Sequence, residues 1–117
     1  MVKNVGEINL LYDFYGELLT DRQQTVLEYY YGDDYTLSEI AEAVGISRQA
    51  VHDTVHKAEK TLRSYESILG LVSRYRQNTE EIRRASLLLE GIIAETENEE
   101  IRDRLITVSE IISRLEG

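Results

Sequence analysis

Apolar residues recur at intervals of three and four along nearly the whole chain, and no stretch alternates in the manner of a strand. The pattern predicts an all-α protein. A first helix runs from Glu7 to about Leu19, with Ile8, Leu11, Tyr12, Tyr15, Leu18 and Leu19 as its apolar stripe. Thr20 with Gln23 forms a capping box that starts a second helix. That helix turns Val26, Leu27, Tyr30 and Tyr31 inward and stops at Gly32-Asp33-Asp34. Thr36 with Glu39 is a second capping box and opens a third helix.

The stretch Thr36 to Leu62, TLSEIAEAVGISRQAVHDTVHKAEKTL, has the plan of a helix-turn-helix. Ile40, Ala41 and Val44 form the inner face of its first helix. Gly45 stands where the chain must turn and positive φ is favoured. Ser47 offers a side-chain oxygen to cap the helix that follows. Val51, Val55, Ala58 and Leu62 repeat at helical spacing and face back to the first helix. On a wheel begun at Arg48 these four lie near about 280–340°, while Arg48, Gln49, His52, His56, Lys60 and Arg63 lie at roughly 0–120°. The polar stripe is therefore separate from the core stripe.

Beyond the motif, Ala58, Leu62, Tyr65, Leu69 and Val72 continue a 4-3-4-3 spacing, the seam of a coiled coil. This predicts one long helix from Ser47 to about Arg76, with Gly70 as its weak point. Asn78 with Glu81 reads as the cap of a fifth helix ending near Glu95, and Thr96 with Glu99 as the cap of a sixth ending near Leu115. The fifth carries Ile82, Ala85, Leu89 and Ile92 on one stripe, with Leu87, Leu88 and Ile93 outside it. The sixth carries Ile101, Leu105, Val108, Ile112 and Leu115. The expected organisation is a wingless helix-turn-helix domain over residues 1–66, then a helical extension and antiparallel hairpin over 67–117. The hairpin has more apolar surface than two helices bury; the excess must meet the long helix, the N-terminal domain or a second chain, and a homodimer is expected, the commonest use of such a surface.

Composition narrows the function. The 117-residue chain has no cysteine, which removes disulfides, thiol chemistry and zinc fingers. The opening MVKNVGEINLLYDFYG reads as neither a signal peptide nor a membrane span, so a cytoplasmic protein with no membrane partner is expected. A net charge of −9 argues against strong sequence-independent DNA binding. From Ser47 to Arg63, however, four cations (Arg48, Lys57, Lys60, Arg63) face two acids (Asp53, Glu59), a local excess of +2. The candidate nucleic-acid-binding residues are Ser47, Arg48, Gln49, His52, Asp53, His56, Lys57, Lys60 and Arg63. Those at the start of the helix would reach base edges, where Arg suits guanine, Gln adenine and Asp cytosine. Lys57, Lys60 and Arg63 would suit phosphates.

Other patterns carry less. His52 and His56 have the i, i+4 spacing of a zinc-protease helix, but Asp53 stands where the longer glutamate is needed and no third histidine exists. Tyr29, Tyr30, Tyr31 and Tyr35 could stack bases, though packing at a helix end explains them better. Glu97, Glu99, Glu100 and Asp103 bracket a helix start and suit its dipole, without an EF-hand's spacing. No phosphate-binding glycine loop and no nucleophile–base pair is present, so no catalytic residue, metal site or cofactor is expected.

From Leu19 to Arg63 the sequence resembles region 4 of the bacterial sigma-70 factors, in the opening LTDRQ, the TLSEIAEAVGIS core and the run closing at Lys60-Thr61-Leu62-Arg63. In that family the second helix of the motif reads the promoter −35 element. The chain departs from a sigma factor in having no region 2 ahead of the motif and roughly 40 further helical residues after it. The whole chain is similar to the small YlxM-type helix-turn-helix family, in LLYDFYGELLTDRQ, YYYGDDYTLSEIAE and GISRQAVHDTVHKAE, and more loosely towards the C-terminal hairpin. That resemblance implies a bacterial accessory or regulatory protein associated with the signal recognition particle pathway. The implied partners are the particle's GTPase and its RNA. The residues alone leave open a sequence-specific DNA-binding regulator unrelated to secretion, or a purely protein-binding adaptor whose acidic surface meets a basic one.

Overall fold

A computed structural model describes residues 5–116. The first four residues of the amino-terminal stretch read above, and residue 117 at the end of the hairpin, lie outside that range. Among the described residues the regular structure is entirely helical: α1 (Val5–Tyr15), α2 (Asp21–Leu27), α3 (Leu37–Val44), α4 (Arg48–Leu69), α5 (Leu71–Glu95) and α6 (Glu99–Glu116). The chain is an all-α helix-turn-helix protein. It divides into two units, Met1–Val72 and Ser73–Gly117.

In the first unit both predicted capping boxes form. Thr20 Oγ1 accepts from the Gln23 backbone at 3.2 Å, and Gln23 Oε1 accepts from the Thr20 backbone at 3.1 Å. Thr36 and Glu39 make the same exchange at 3.1 Å each way. Each cap satisfies N–H groups that a helix start leaves open, worth about 1 kcal/mol. Helix α1 ends sooner than its stripe predicts. At Gly16 the chain tightens into a 3-10 turn, Gly16–Leu18. Three residues per turn replace 3.6, so the stripe loses register and Leu18 ends up exposed. Glycine is needed there because a Cβ would meet the Tyr12 ring at 3.0 Å.

Helix α2 widens into a π-turn over Glu28–Gly32, closed by Asp33 N–H donating to the Glu28 carbonyl at 3.0 Å. The widened turn fans out three tyrosines. Tyr30 is buried, Tyr29 stacks on Tyr35 with ring centres 4.9 Å apart, and the Tyr31 hydroxyl donates to the Glu59 carboxylate. The core gathers Ile8, Leu11, Tyr15, Val26, Leu27, Ile40, Val51, Val55, Ala58, Leu62 and Val72.

The long helix expected from Ser47 to Arg76 breaks at Gly70, which adopts φ 63 and caps α4. Helix α5 starts at once, at Leu71, and tertiary partners hold its first turn. The Tyr15 hydroxyl accepts from Leu71 N–H at 3.0 Å and donates to Glu66 Oε1 at 2.6 Å. The same Glu66 oxygen accepts from Val72 N–H at 3.0 Å. A carboxylate at a helix start also complements the helix dipole. Burial and Glu66 together push the Tyr15 phenol above its ordinary pKa. With α5 nucleated at Leu71, the expected cap at Asn78 is overridden, and Asn78 lies inside the helix.

The second unit holds the rest of α5, then α6. Thr96 does not cap α6. It closes α5, its hydroxyl donating to the Ile92 carbonyl at 2.6 Å. Asn98 is the cap, accepting from Ile101 N–H at 3.0 Å. The better-covered positions Ile82, Leu89 and Ile93 lie as far before Glu97 as Ile112, Leu105 and Ile101 lie after it, the register of an antiparallel hairpin. Coverage is thin: Leu89 is the single buried residue among the described residues of this unit.

Candidate nucleic-acid interface

The turn between α3 and α4 is held by its own backbone. Gly45 adopts φ 81, and its N–H and that of Ile46 both donate to the Ala41 carbonyl, at 2.9 and 3.2 Å. This is the Schellman pattern, which needs a left-handed residue. Ser47 Oγ accepts from Ala50 N–H at 3.0 Å, so this side chain starts α4 rather than standing ready for a base. Val51, Val55, Ala58 and Leu62 are fully buried and fix the rotation of α4 against the core. The opposite stripe is left to solvent.

On that stripe Arg48, Gln49, Asp53, His56, Lys57 and Lys60 are exposed, and His52 is half-buried. Gln49 Nε2 donates to Asp53 Oδ1 at 3.0 Å, one turn further along. The two candidates for base recognition are thus engaged with each other. Reading a base edge would exchange that bond for another, a net change of only about 1 kcal/mol. The His52 and His56 rings lie 4.7 Å apart. His52 Nδ1 is shielded from solvent without a hydrogen bond and sits 3.6 Å from Asp53 Oδ1. Among the described residues no group of three or more histidine, aspartate or glutamate side chains comes together as a metal site.

The cations divide in a way the wheel does not show. Arg63 lies 3.6 Å from Glu7 and 3.7 Å from Glu59, an ion-paired position where α4 passes beneath α1 and the π-turn. Lys57 and Lys60 instead line an open groove of about 460 Å³ with Thr61, Ser64, Tyr65 and Ile68. Those last four were not read as interface residues in the sequence, where Tyr65 belongs to the seam of a longer helix. Ile68 lies off the core stripe of α4 and is exposed.

A second cavity, of about 390 Å³, lies between α1 and the π-turn and is lined by Ile8, Asn9, Tyr12, Leu27, Glu28, Tyr31, Gly32 and Asp33. The Tyr12 hydroxyl donates to Glu28 Oε1 at 2.7 Å. Burial and that carboxylate push the Tyr12 phenol up to about 12. With Glu28 and Asp33 in its wall, this cavity is unsuited to phosphate. No helix among the described residues is long and apolar enough to cross a membrane.

Comparison with known proteins agrees with this geometry. Residues 2–104 match the model of the UPF0122 family, described as "Putative helix-turn-helix protein, YlxM / p13 like". A UPF0122 protein of Desulforamulus reducens is 51% identical over 90 residues, 77% of each chain. One from Symbiobacterium thermophilum is 49% identical over 76 residues, covering 65% of this chain and 71% of the relative. One from Lactococcus lactis is 50% identical over 74 residues, covering 63% and 67%. The family is one of helix-turn-helix proteins. Its match spans the motif, the break at Gly70 and most of the hairpin, and this chain belongs to the UPF0122 family of YlxM/p13-like helix-turn-helix proteins.

Proposed function

We propose that this chain is a regulatory protein that docks the exposed stripe of α4 on nucleic acid, DNA or RNA. One observation carries the reading. The buried back of α4 leaves Arg48, Gln49 and His56 facing solvent, and Lys57 and Lys60 continue that stripe along an open groove. Residues near the helix start would read bases, with Asp53 accepting from cytosine and His52 supporting the stripe. Lys57 and Lys60 would hold phosphates, and Arg63 would do so once released from Glu7 and Glu59. The test is a titration of labelled DNA and RNA duplexes and hairpins at two salt concentrations. Lys60→Ala should weaken binding to all sequences and flatten the salt slope by about one, while Arg48→Ala and Gln49→Ala change the preference among sequences. Absence of binding at low salt for every probe refutes the reading.

The finer reading places the protein in the cytoplasm as a homodimer serving the signal recognition particle pathway, with the particle's RNA or its GTPase as partner. The resemblance to YlxM-type proteins implies the pathway, and the exposed apolar residues of the hairpin support a dimer. The net charge of −9 favours a protein among the partners, since an acidic surface is steered to a basic one. Titrating purified GTPase and its RNA, separately and together, distinguishes the cases. Binding to neither removes the pathway and leaves the nucleic-acid reading to its own test.

A further inference from the structure

We propose that the cavity between α1 and the π-turn is a docking site for a basic protein partner, whose arginine or lysine side chain it receives. The cavity shares no residue with the exposed stripe of α4, so this site stands or falls apart from the nucleic-acid reading.

Its walls suit a cation carried on an aliphatic stem. Ile8 and Leu27 supply an apolar floor, and Tyr12 and Tyr31 supply ring surface. Glu28 and Asp33 supply negative charge, and among the described residues no lysine or arginine lines the cavity. The Tyr12 hydroxyl donates to Glu28 at 2.7 Å and so holds that carboxylate in place. A cation set there is attracted by the faces of the phenol rings as well as by the carboxylates.

The placement of the two acids is an independent sign. Helix α2 and its π-turn run from Asp21 to Gly32, with no basic residue in the last turn. Glu28 opens that turn and Asp33 follows its end. A helix C-terminus carries about half a negative charge, so cations suit it and acids oppose it. Asp21 and Glu39, by contrast, stand in first turns, where the dipole favours them. At the cavity the helix end and both acids share one sign, a mismatch that a bound cation relieves.

The same features select the occupant. Phosphate is repelled. A hard metal ion takes about six or more oxygens, and among the described residues no three ligand side chains converge. Asn9, Glu28 and Asp33 are exposed, so a side chain can enter while its own backbone stays outside. The volume of about 390 Å³ is that of an ordinary ligand site. The net charge of −9 steers a basic protein, rather than an acidic one, to this surface.

The test follows the amide and methyl resonances of the full-length chain by NMR. The probe is an end-capped glycine–serine peptide with one central arginine. Its control carries citrulline, which has nearly the same shape and no charge. Shifts should centre on Ile8, Leu27 and Asp33, and the citrulline peptide should bind roughly tenfold or more weakly. Asp33→Asn should weaken binding of the arginine peptide and also raise the melting temperature of the free protein, since it removes a charge the helix end opposes. Tyr12→Phe keeps the ring and should bind like wild type, whereas Tyr12→Leu should bind weakly with circular dichroism unchanged. Glu42→Gln, exposed on α3, should change nothing. No binding up to about 10 mM, equal binding of the two peptides, or shifts centred on α4 overturns the site. Unchanged binding in Glu28→Gln combined with Asp33→Asn does the same. Agmatine, a free alkyl guanidinium, tests the source: if it binds far more tightly than the peptide, a small amine and not a protein is the ligand.

Discussion

The two units of this chain use the same vocabulary of helices and caps but finish differently. In the first, Val26, Ile40, Val51, Val55, Ala58 and Leu62 have no exposed surface, and polar groups such as Tyr15, Glu59 and Glu66 find partners across the fold. In the second, Leu89 alone is buried among the described residues, and Leu88, Ile92, Ile111 and Leu115 remain about half exposed or more. The first unit encloses a core, with Leu18 and Ile68 exposed at its surface, whereas the second leaves much of its apolar stripe uncovered. The difference shows that helical periodicity specifies which residues want burial, not where the burying surface comes from.

Core truncation separates the units most sharply. Leu62→Ala removes a fully buried side chain and should lower stability by about 2–5 kcal/mol, read in urea unfolding. Its effect should not depend on protein concentration. Ile101→Ala, at a position 48% exposed, should act chiefly through association and so fade as the protein is diluted. Equal, concentration-independent losses for the two variants would break the comparison.

The polar joint comes next. Tyr15→Phe leaves Leu71 N–H without that acceptor and takes from Glu66 the hydroxyl donor while Val72 N–H stays, a loss of about 1–3 kcal/mol. The same phenols make the first unit sensitive to alkali. The pKa values of Tyr12, Tyr15 and Tyr31 are all raised, each by burial first and then by a carboxylate that accepts its proton. A folded-state pKa above the unfolded value of about 10 means the stabilisation is complete below pH 10 and is lost as pH rises beyond it. Melting temperature should therefore fall from about pH 10 upward, through about 12 for Tyr12, and fall less in Tyr12→Phe. A melting temperature flat from pH 9 to 12 would contradict the raised values. Gly45→Ala should lose about 1–2 kcal/mol, because φ 81 is strained for alanine even though nothing lies within 4 Å of the added methyl. Gly45→Asn should lose less, a contrast that assigns the effect to the backbone and not to crowding.

What was legible in the sequence follows the same division. Thr20, Thr36, Gly45 and Ser47 act on neighbours within a few residues, and each does what its local pattern announces. The core stripe of α4 was legible for the same reason, since 3.6-residue spacing is a local property. The end of α4 was not. The seam from Ala58 to Val72 runs through Gly70 without a break, and the groups that start α5, Tyr15 and Glu66, lie 56 and 6 residues from the Leu71 and Val72 N–H groups that donate to them. Once α5 starts at Leu71, the cap signal at Asn78 has no end to cap. Within the candidate interface, the exposure of Arg48 and Lys60 followed from the wheel. The ion pairing of Arg63 with Glu7 did not, because it depends on how α1 crosses α4.

The smallest effect tests the comparison most directly, because one device occurs in both units. Thr36 caps α3 and Asn98 caps α6, each accepting one backbone N–H, at 3.1 and 3.0 Å. Replacing either by alanine removes about 1 kcal/mol of local helix stability. Helix α3 cannot fray alone, since Ile40 is fully buried in the shared core. Thr36→Ala should therefore lower the global melting temperature and speed hydrogen exchange throughout the first unit. The start of α6 has no buried residue to transmit the loss, so Asn98→Ala should speed exchange only over the first turn or two of α6. If Asn98→Ala instead lowers the global transition, the hairpin is coupled into a larger cooperative structure. The proposed homodimer predicts that this coupling appears at high protein concentration and vanishes on dilution.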